Sequence, residues 1–165
     1  MLNLFAAILI LSSALLTAQT APNGTGTPET VLAGIDIHHT TIASIQKMYG
    51  QQDGMYGVPP NPYPPGTKLY EWRRLTVTLK LLMEPAGSAE VIRAISVEGE
   101  GEPGRQPINQ TGRGLKLGAK SSEINKQYGV DASGGSTTIK WSDGTTLVIS
   151  VNEKGRVSKL ELRAP

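Results

Sequence analysis

Gly114-Leu115-Lys116-Leu117-Gly118-Ala119-Lys120-Ser121-Ser122-Glu123-Ile124-Asn125-Lys126-Gln127-Tyr128-Gly129 decides how this chain is read, because its landmarks occur twice. An earlier stretch opens with Gly34-Ile35-Asp36-Ile37 and reaches Tyr49-Gly50. From Gly to Gly the spans are 50 − 34 = 16 and 129 − 114 = 15 positions, so one residue of slippage separates them. Within each span the apolar residues recur at helical spacing: Ile42, Ile45 and Met48 or Tyr49 in the first, Ile124 and Tyr128 in the second. Thr40 or Thr41 is placed to cap the first helix, and Ser121 or Ser122 the second, with Glu123 near the positive helix end. Gly50 and Gly129 suit the residue that ends a helix. Helices this short are not stable alone and must pack on something.

The partner is a sheet. Leu69-Tyr70-Glu71-Trp72 follows the first helix and Thr138-Ile139-Lys140-Trp141 the second. Alternation then places Leu75, Val77, Leu79 and Leu81 on one strand face, and Leu147, Ile149 and Val151 on another. A last strand in each half carries apolar residues three and then two positions apart: Ile92, Ile95, Val97 and Val157, Leu160, Leu162. Glu84-Pro85-Ala86-Gly87, Ser142-Asp143-Gly144 and Asn152-Glu153-Lys154-Gly155 have hairpin chemistry. The expected fold class is α+β, a tandem repeat of a short helix followed by an antiparallel β-meander.

The expected organisation runs as follows. Residues 1–21 are a signal peptide: Leu2 to Leu16 is uncharged and apolar, and small residues follow, with cleavage after Ala18 or Ala21. Residues 22–33 are a disordered lead-in, 34–98 the first α/β repeat, 99–113 a Gly- and Pro-rich linker, and 114–165 the second repeat. The first repeat contains an insertion, Asp53 to Lys68, with Pro59, Pro60, Pro62, Pro64 and Pro65. Such a segment holds an extended backbone and presents Met55, Tyr56 and Tyr63 at low entropic cost.

Composition narrows the function. The chain has no Cys, which excludes disulfides, thiolate zinc sites, Cys nucleophiles and a lipid-accepting Cys. Lys and Arg number 16 against 14 Asp and Glu, interspersed, so there is no focused field for nucleic acid or anionic lipid. With 38% hydrophobic and 5% aromatic residues, the sheets are expected to keep one solvated face. His38 and His39 are adjacent, which is poor spacing for a shared metal. Gly114 to Ser121 has the Lys-Ser order of a phosphate loop, but Ala119 stands where the second glycine belongs. No nucleophile elbow, metal motif or carboxylate pair appears, so no catalytic residue, metal or cofactor is expected. Asn23-Gly24-Thr25 and Asn109-Gln110-Thr111 fit the N-glycosylation pattern, relevant only in a eukaryotic secretory pathway.

The Gly-Leu-Lys-Leu-Gly stretch, the capped helix ending in Tyr-Gly and the aromatic strand together resemble the SmpA/OmlA-type small envelope proteins. Their tandem occurrence is similar to the β-lactamase-inhibitor protein fold. The resemblance implies a protein-binding or envelope scaffold role, periplasmic or secreted, with an envelope or secreted protein as partner. Tyr56, Tyr63, Tyr70, Trp72 and Trp141 are the expected contact residues, although the two Trp serve equally as core anchors. The competing expectations are a small-ligand carrier or an enzyme with a pocket between repeats, and a purely structural domain.

Overall fold

The computed structural model describes residue 24 and residues 26–74, 76–100, 107–132 and 135–165. The expected signal peptide, Leu75 and residues 101–106 of the expected linker lie outside them. The elements are β1 (Val31–Leu32), β2 (Ile35–Asp36), α1 (Ile42–Tyr49), β3 (Gly54–Gly57), β4 (Lys68–Arg74), β5 (Val77–Ala86), β6 (Ala89–Gly99), a 3₁₀ turn (Pro107–Asn109), α2 (Ser121–Tyr128), β7 (Ser136–Lys140), β8 (Thr146–Val151) and β9 (Val157–Arg163). Seven strands form one antiparallel sheet in the order β3-β4-β5-β6-β9-β8-β7.

The expected fold class is overturned. Strands and bridges take 45% of the described residues and helices 14%, so the described part is mostly antiparallel β, with two short α-helices among the described residues. The meanders do not close as separate helix-plus-strand units. β6 pairs with β9, setting Ile95 opposite Leu162 and Val97 opposite Leu160, and the sheet runs unbroken across the chain's two halves. The expected insertion supplies the edge strand β3, for which the described residues of the second half supply no counterpart in the sheet.

The segments expected to be loose are also part of the body. Leu32 and Ala33, expected in a disordered lead-in, have no exposed surface, and Ile108 of the expected linker is buried. Both are held by backbone pairing: Ala33 N–H donates to Gln110 O at 2.9 Å and Gly112 N–H to Val31 O at 2.8 Å. Glu29 is buried beside them, its carboxylate accepting from Val31 N–H, Arg113 N–H and the Tyr128 hydroxyl at 3.3, 3.2 and 3.0 Å. These donors compensate the cost of burying a carboxylate.

Local signals explain the elements. Thr41 caps α1, its hydroxyl accepting from Ser44 N–H at 3.3 Å, and Ile45 and Tyr49 turn into the core. α2 starts after Lys120 with no side-chain cap, contrary to the expected serine, and buries Ile124 and Tyr128. Its Gly129 is left-handed at φ 70°, the conformation glycine reaches without strain. The three-then-two spacing has a common cause. Pairing slips between Leu82 and Met83 so that Arg93 is extra, and again between Ser150 and Val151 so that Ser158 is extra. One additional residue in each bulge returns Ile92 and Val157 to the core side. The first hairpin turns at Gly87-Ser88 rather than at Pro85-Ala86, because Pro85 and Ala86 still pair with Glu90 and Ala89.

One sheet face is thereby closed and the other open. Leu79, Leu81, Met83, Ile95, Val97, Ile139, Leu147, Ile149, Leu160 and Leu162 point to the side where α1, α2 and β1 pack, forming one hydrophobic cluster. Strand alternation sends Leu69, Lys80, Leu82, Ala94, Ser96, Glu98, Lys159, Glu161 and Arg163 to the opposite side.

Candidate functional site

Three of the five expected contact residues belong to the core. Trp72 has no exposed surface, and Tyr70 and Trp141 are 6% and 4% exposed. The Trp72 indole N–H donates to Gly50 O at 2.9 Å, closing the end of α1 onto β4, and its ring stacks on Tyr70 at 6.3 Å. The Arg113 guanidinium lies 5.2 Å from the Tyr128 ring centre and 5.8 Å from that of Trp141. Their place in the strands explains this: Tyr70 and Trp72 share the phase of the buried Leu81 and Leu79, with which they pair.

Tyr56 and Tyr63 are exposed, at 48% and 37%. Tyr56 sits on β3 opposite Leu69, on the open face. Tyr63 is carried there by the Pro-rich loop, which closes on itself through Val58 N–H to Thr67 O at 3.0 Å, Asn61 N–H to Pro59 O at 2.8 Å, and the Thr67 hydroxyl to Pro64 O at 2.7 Å. Thr67 is buried at the loop's base, so the loop is anchored rather than trailing.

Under Tyr63 the open face forms a groove. One cavity of about 290 Å³ is walled by Val58, Tyr63, Leu69, Leu82, Ala94 and Ser96, with Lys80, Glu98, Lys159 and Glu161 around them. A second of about 300 Å³ shares Tyr63, Leu82, Ala94 and Glu161 with it and extends to Glu84, Arg93 and Arg163. The floor is apolar in one row, because pairing sets Leu69 beside Leu82 and Leu82 beside Ala94. Next to that row the Ser96 hydroxyl is buried with no hydrogen-bond partner among the described residues. It stands directly across from Glu161.

The rim is charged but internally neutralised. Glu161 takes Lys159 at 2.7 Å and Arg163 at 2.5 Å, Glu84 takes Arg93 at 2.9 Å, and Lys80 pairs with Glu98. Burial pushes the Glu161 carboxyl up, but the hydrogen bonds and charges of Lys159 and Arg163 together outweigh it and hold the group below its ordinary value. Four cations face three carboxylates, so the groove has little net field and would select by shape and apolar contact.

The other motifs in the sequence do not form sites. His38 and His39 are both exposed, and the ring of His39 meets Asp36 Oδ1 at 3.0 Å. No group of three His, Cys, Asp or Glu among the described residues is placed to hold a metal. In the phosphate-loop-like stretch, Gly118 N–H donates to Val157 O, Ala119 N–H to Lys116 O and Ser121 N–H to Gly155 O, so these amides already have backbone partners.

Sequence reasoning missed the groove floor. The available signal was Leu82, an apolar residue in the phase that Lys80 and Glu84 occupy, on a strand whose core face was already complete.

No family model and no curated protein matches the chain. No described helix is long and apolar enough to cross a membrane. A solved structure described as a cysteine-rich secretory protein from Staphylococcus aureus is similar to this chain, with a TM-score of 0.57 at 17% identity, over 88% of this chain and 50% of that one. This chain thus spans half the length of that protein, and the likeness is one of fold.

Proposed function

We propose that the chain is an exported, non-enzymatic protein-binding module that seats a segment of a partner protein on its open sheet face, under the Tyr63 loop. The observation that carries this reading is the row Leu69, Leu82, Ala94, left half-buried and roofed only by Tyr63 and Val58 among the described residues. Apolar surface held open by an anchored loop costs stability unless something else covers it. An extended peptide matches the groove's chemistry: one apolar side chain fills the cavity, and a main-chain carbonyl accepts from the Ser96 hydroxyl. The carboxylates on this face are bound to Lys or Arg, which suits a scaffold better than acid–base chemistry. Export is supported by the apolar leader-like start of the chain and by the secretory description of the structurally similar protein. A small-ligand carrier is the second reading, because the cavity volume also fits a compact molecule.

The test is capture from an extract of exported proteins with Tyr63→Ala and Leu82→Glu beside the wild type. The reading expects a defined protein on the wild type, lost on both variants, with thermal unfolding essentially unchanged. Equal retention by all three contradicts it. Loss of a small molecule instead of a protein, seen by native mass spectrometry, moves the assignment to the carrier.

A further inference from the structure

The sheet ends on β3, and among the described residues no strand or segment pairs with its outer edge. Natural edge strands are blunted by Lys, Pro, bulges or a covering segment. Gly54-Met55-Tyr56-Gly57 contains no charge and no Pro, and Met55, Tyr56 and Gly57 are exposed. The other edge, β7, differs: it carries Lys140, whose carbonyl already accepts from Gly24 N–H at 3.0 Å.

The ladder fixes which backbone groups of β3 face outward. Val58 N–H donates to Thr67 O, so Val58 and, by alternation, Tyr56 direct their N–H and C=O towards β4. Met55 and Gly57 direct theirs away from the sheet. That pair is self-complementary. Placed antiparallel to its own image about a two-fold axis at Tyr56, β3 sets Met55 opposite Gly57 of the second copy and Gly57 opposite its Met55, making four backbone hydrogen bonds.

The side chains allow the same pairing. A Cβ at Gly57 would meet no heavy atom within 4 Å, which leaves room for the opposing Met55. The Tyr56 ring lies back over Gly54, whose Cβ would come within 2.7 Å of it, so the two rings need not collide at the axis. With no charge on β3, its image meets no like-charge repulsion.

The geometry points to β3 as a self-association site, where a second copy of this chain adds edge to edge and continues the sheet. The contact is short, so the dimer is weak and concentration-dependent. It uses the sheet edge rather than the groove, and so stands apart from the peptide-seat reading.

Sedimentation velocity of the full chain from about 10 μM to about 1 mM tests it, the upper limit corresponding to the weakest useful association. The wild type is expected to pass from monomer to dimer across that range. Gly57→Pro removes an outward N–H that the sheet does not use and is expected to stay monomeric. Met55→Lys adds the missing edge charge and is expected to raise the dissociation constant about tenfold or more, which keeps the proposal testable if the proline variant misfolds. Tyr63→Ala, in the groove, is expected to dimerise like the wild type. A wild type that is monomeric throughout overturns the proposal, as does a dimer that survives Met55→Lys undiminished.

Discussion

Replacing Trp72 separates a core anchor from a contact residue. Its indole has no exposed surface, and burying an aromatic ring system of this size removes about 200 Å² from water, worth about 5 kcal/mol at about 25 cal/mol per Å². The bond from its N–H to Gly50 O contributes about 1 kcal/mol, while truncation returns about 1 kcal/mol of side-chain entropy and Ala keeps some burial. Trp72→Ala is therefore expected to cost about 4 kcal/mol, within the range of about 3–5 kcal/mol for large aromatic truncations. Trp72→Phe keeps one ring on Tyr70 and loses the N–H and part of the packing, for about 2 kcal/mol. Urea unfolding followed by far-UV circular dichroism, with Trp141 fluorescence as second probe, reads this directly. At a slope of about 1.5 kcal/mol/M the Phe variant's midpoint falls by about 1.3 M. A Phe variant within about 0.5 kcal/mol of wild type that nonetheless fails to capture a partner would refute the reasoning and return Trp72 to the binding surface.

Tyr128→Phe removes the hydroxyl that donates to the buried Glu29 carboxylate, and is expected to cost about 1.5–3 kcal/mol in the same unfolding assay. Glu161 has a folded pKa below its ordinary value of 4.5, so its contribution is complete above that value and drains away as pH falls through the folded one. Glu161→Gln is therefore expected to be less stable than wild type at pH 7, with the gap narrowing on acidification; a gap that stays constant from neutral pH to about pH 3 contradicts the pairing with Lys159 and Arg163.

Both helices, their Tyr-Gly ends and most core positions were legible because each rests on a local period that a few residues display. Ile45, Tyr49, Ile124 and Tyr128 are buried as their spacing demands. The continuous sheet was not legible. Whether two meanders stand apart or merge depends on β6 finding β9, a pairing that runs from Glu98 with Lys159 to Ala94 with Arg163 and joins residues distant in the chain that no local pattern announces. Lead-in and linker were misread for a related reason: Leu32 and Thr111 bridge each other across the chain, and neither neighbourhood alone is periodic. At the site, exposure of Tyr56 and Tyr63 followed from their Pro- and Gly-rich surroundings. Burial of Tyr70 and Trp72 followed from strand phase, which alternation with Leu79 and Leu81 would have fixed had the pairing been known. Leu82 and Ala94 become a floor only once register sets them side by side.

The central claim, that the open face under Tyr63 is where a partner sits, is tested most directly by site-specific photo-crosslinking. A benzophenone amino acid is placed at Tyr63, at Leu82, or at the exposed Ala43 on α1 across the sheet, in the full chain expressed in its host. The account predicts one crosslinked protein species from positions 63 and 82 and none from 43. Crosslinks from 43 with none from 63 and 82 would place the partner on the helix side and contradict it.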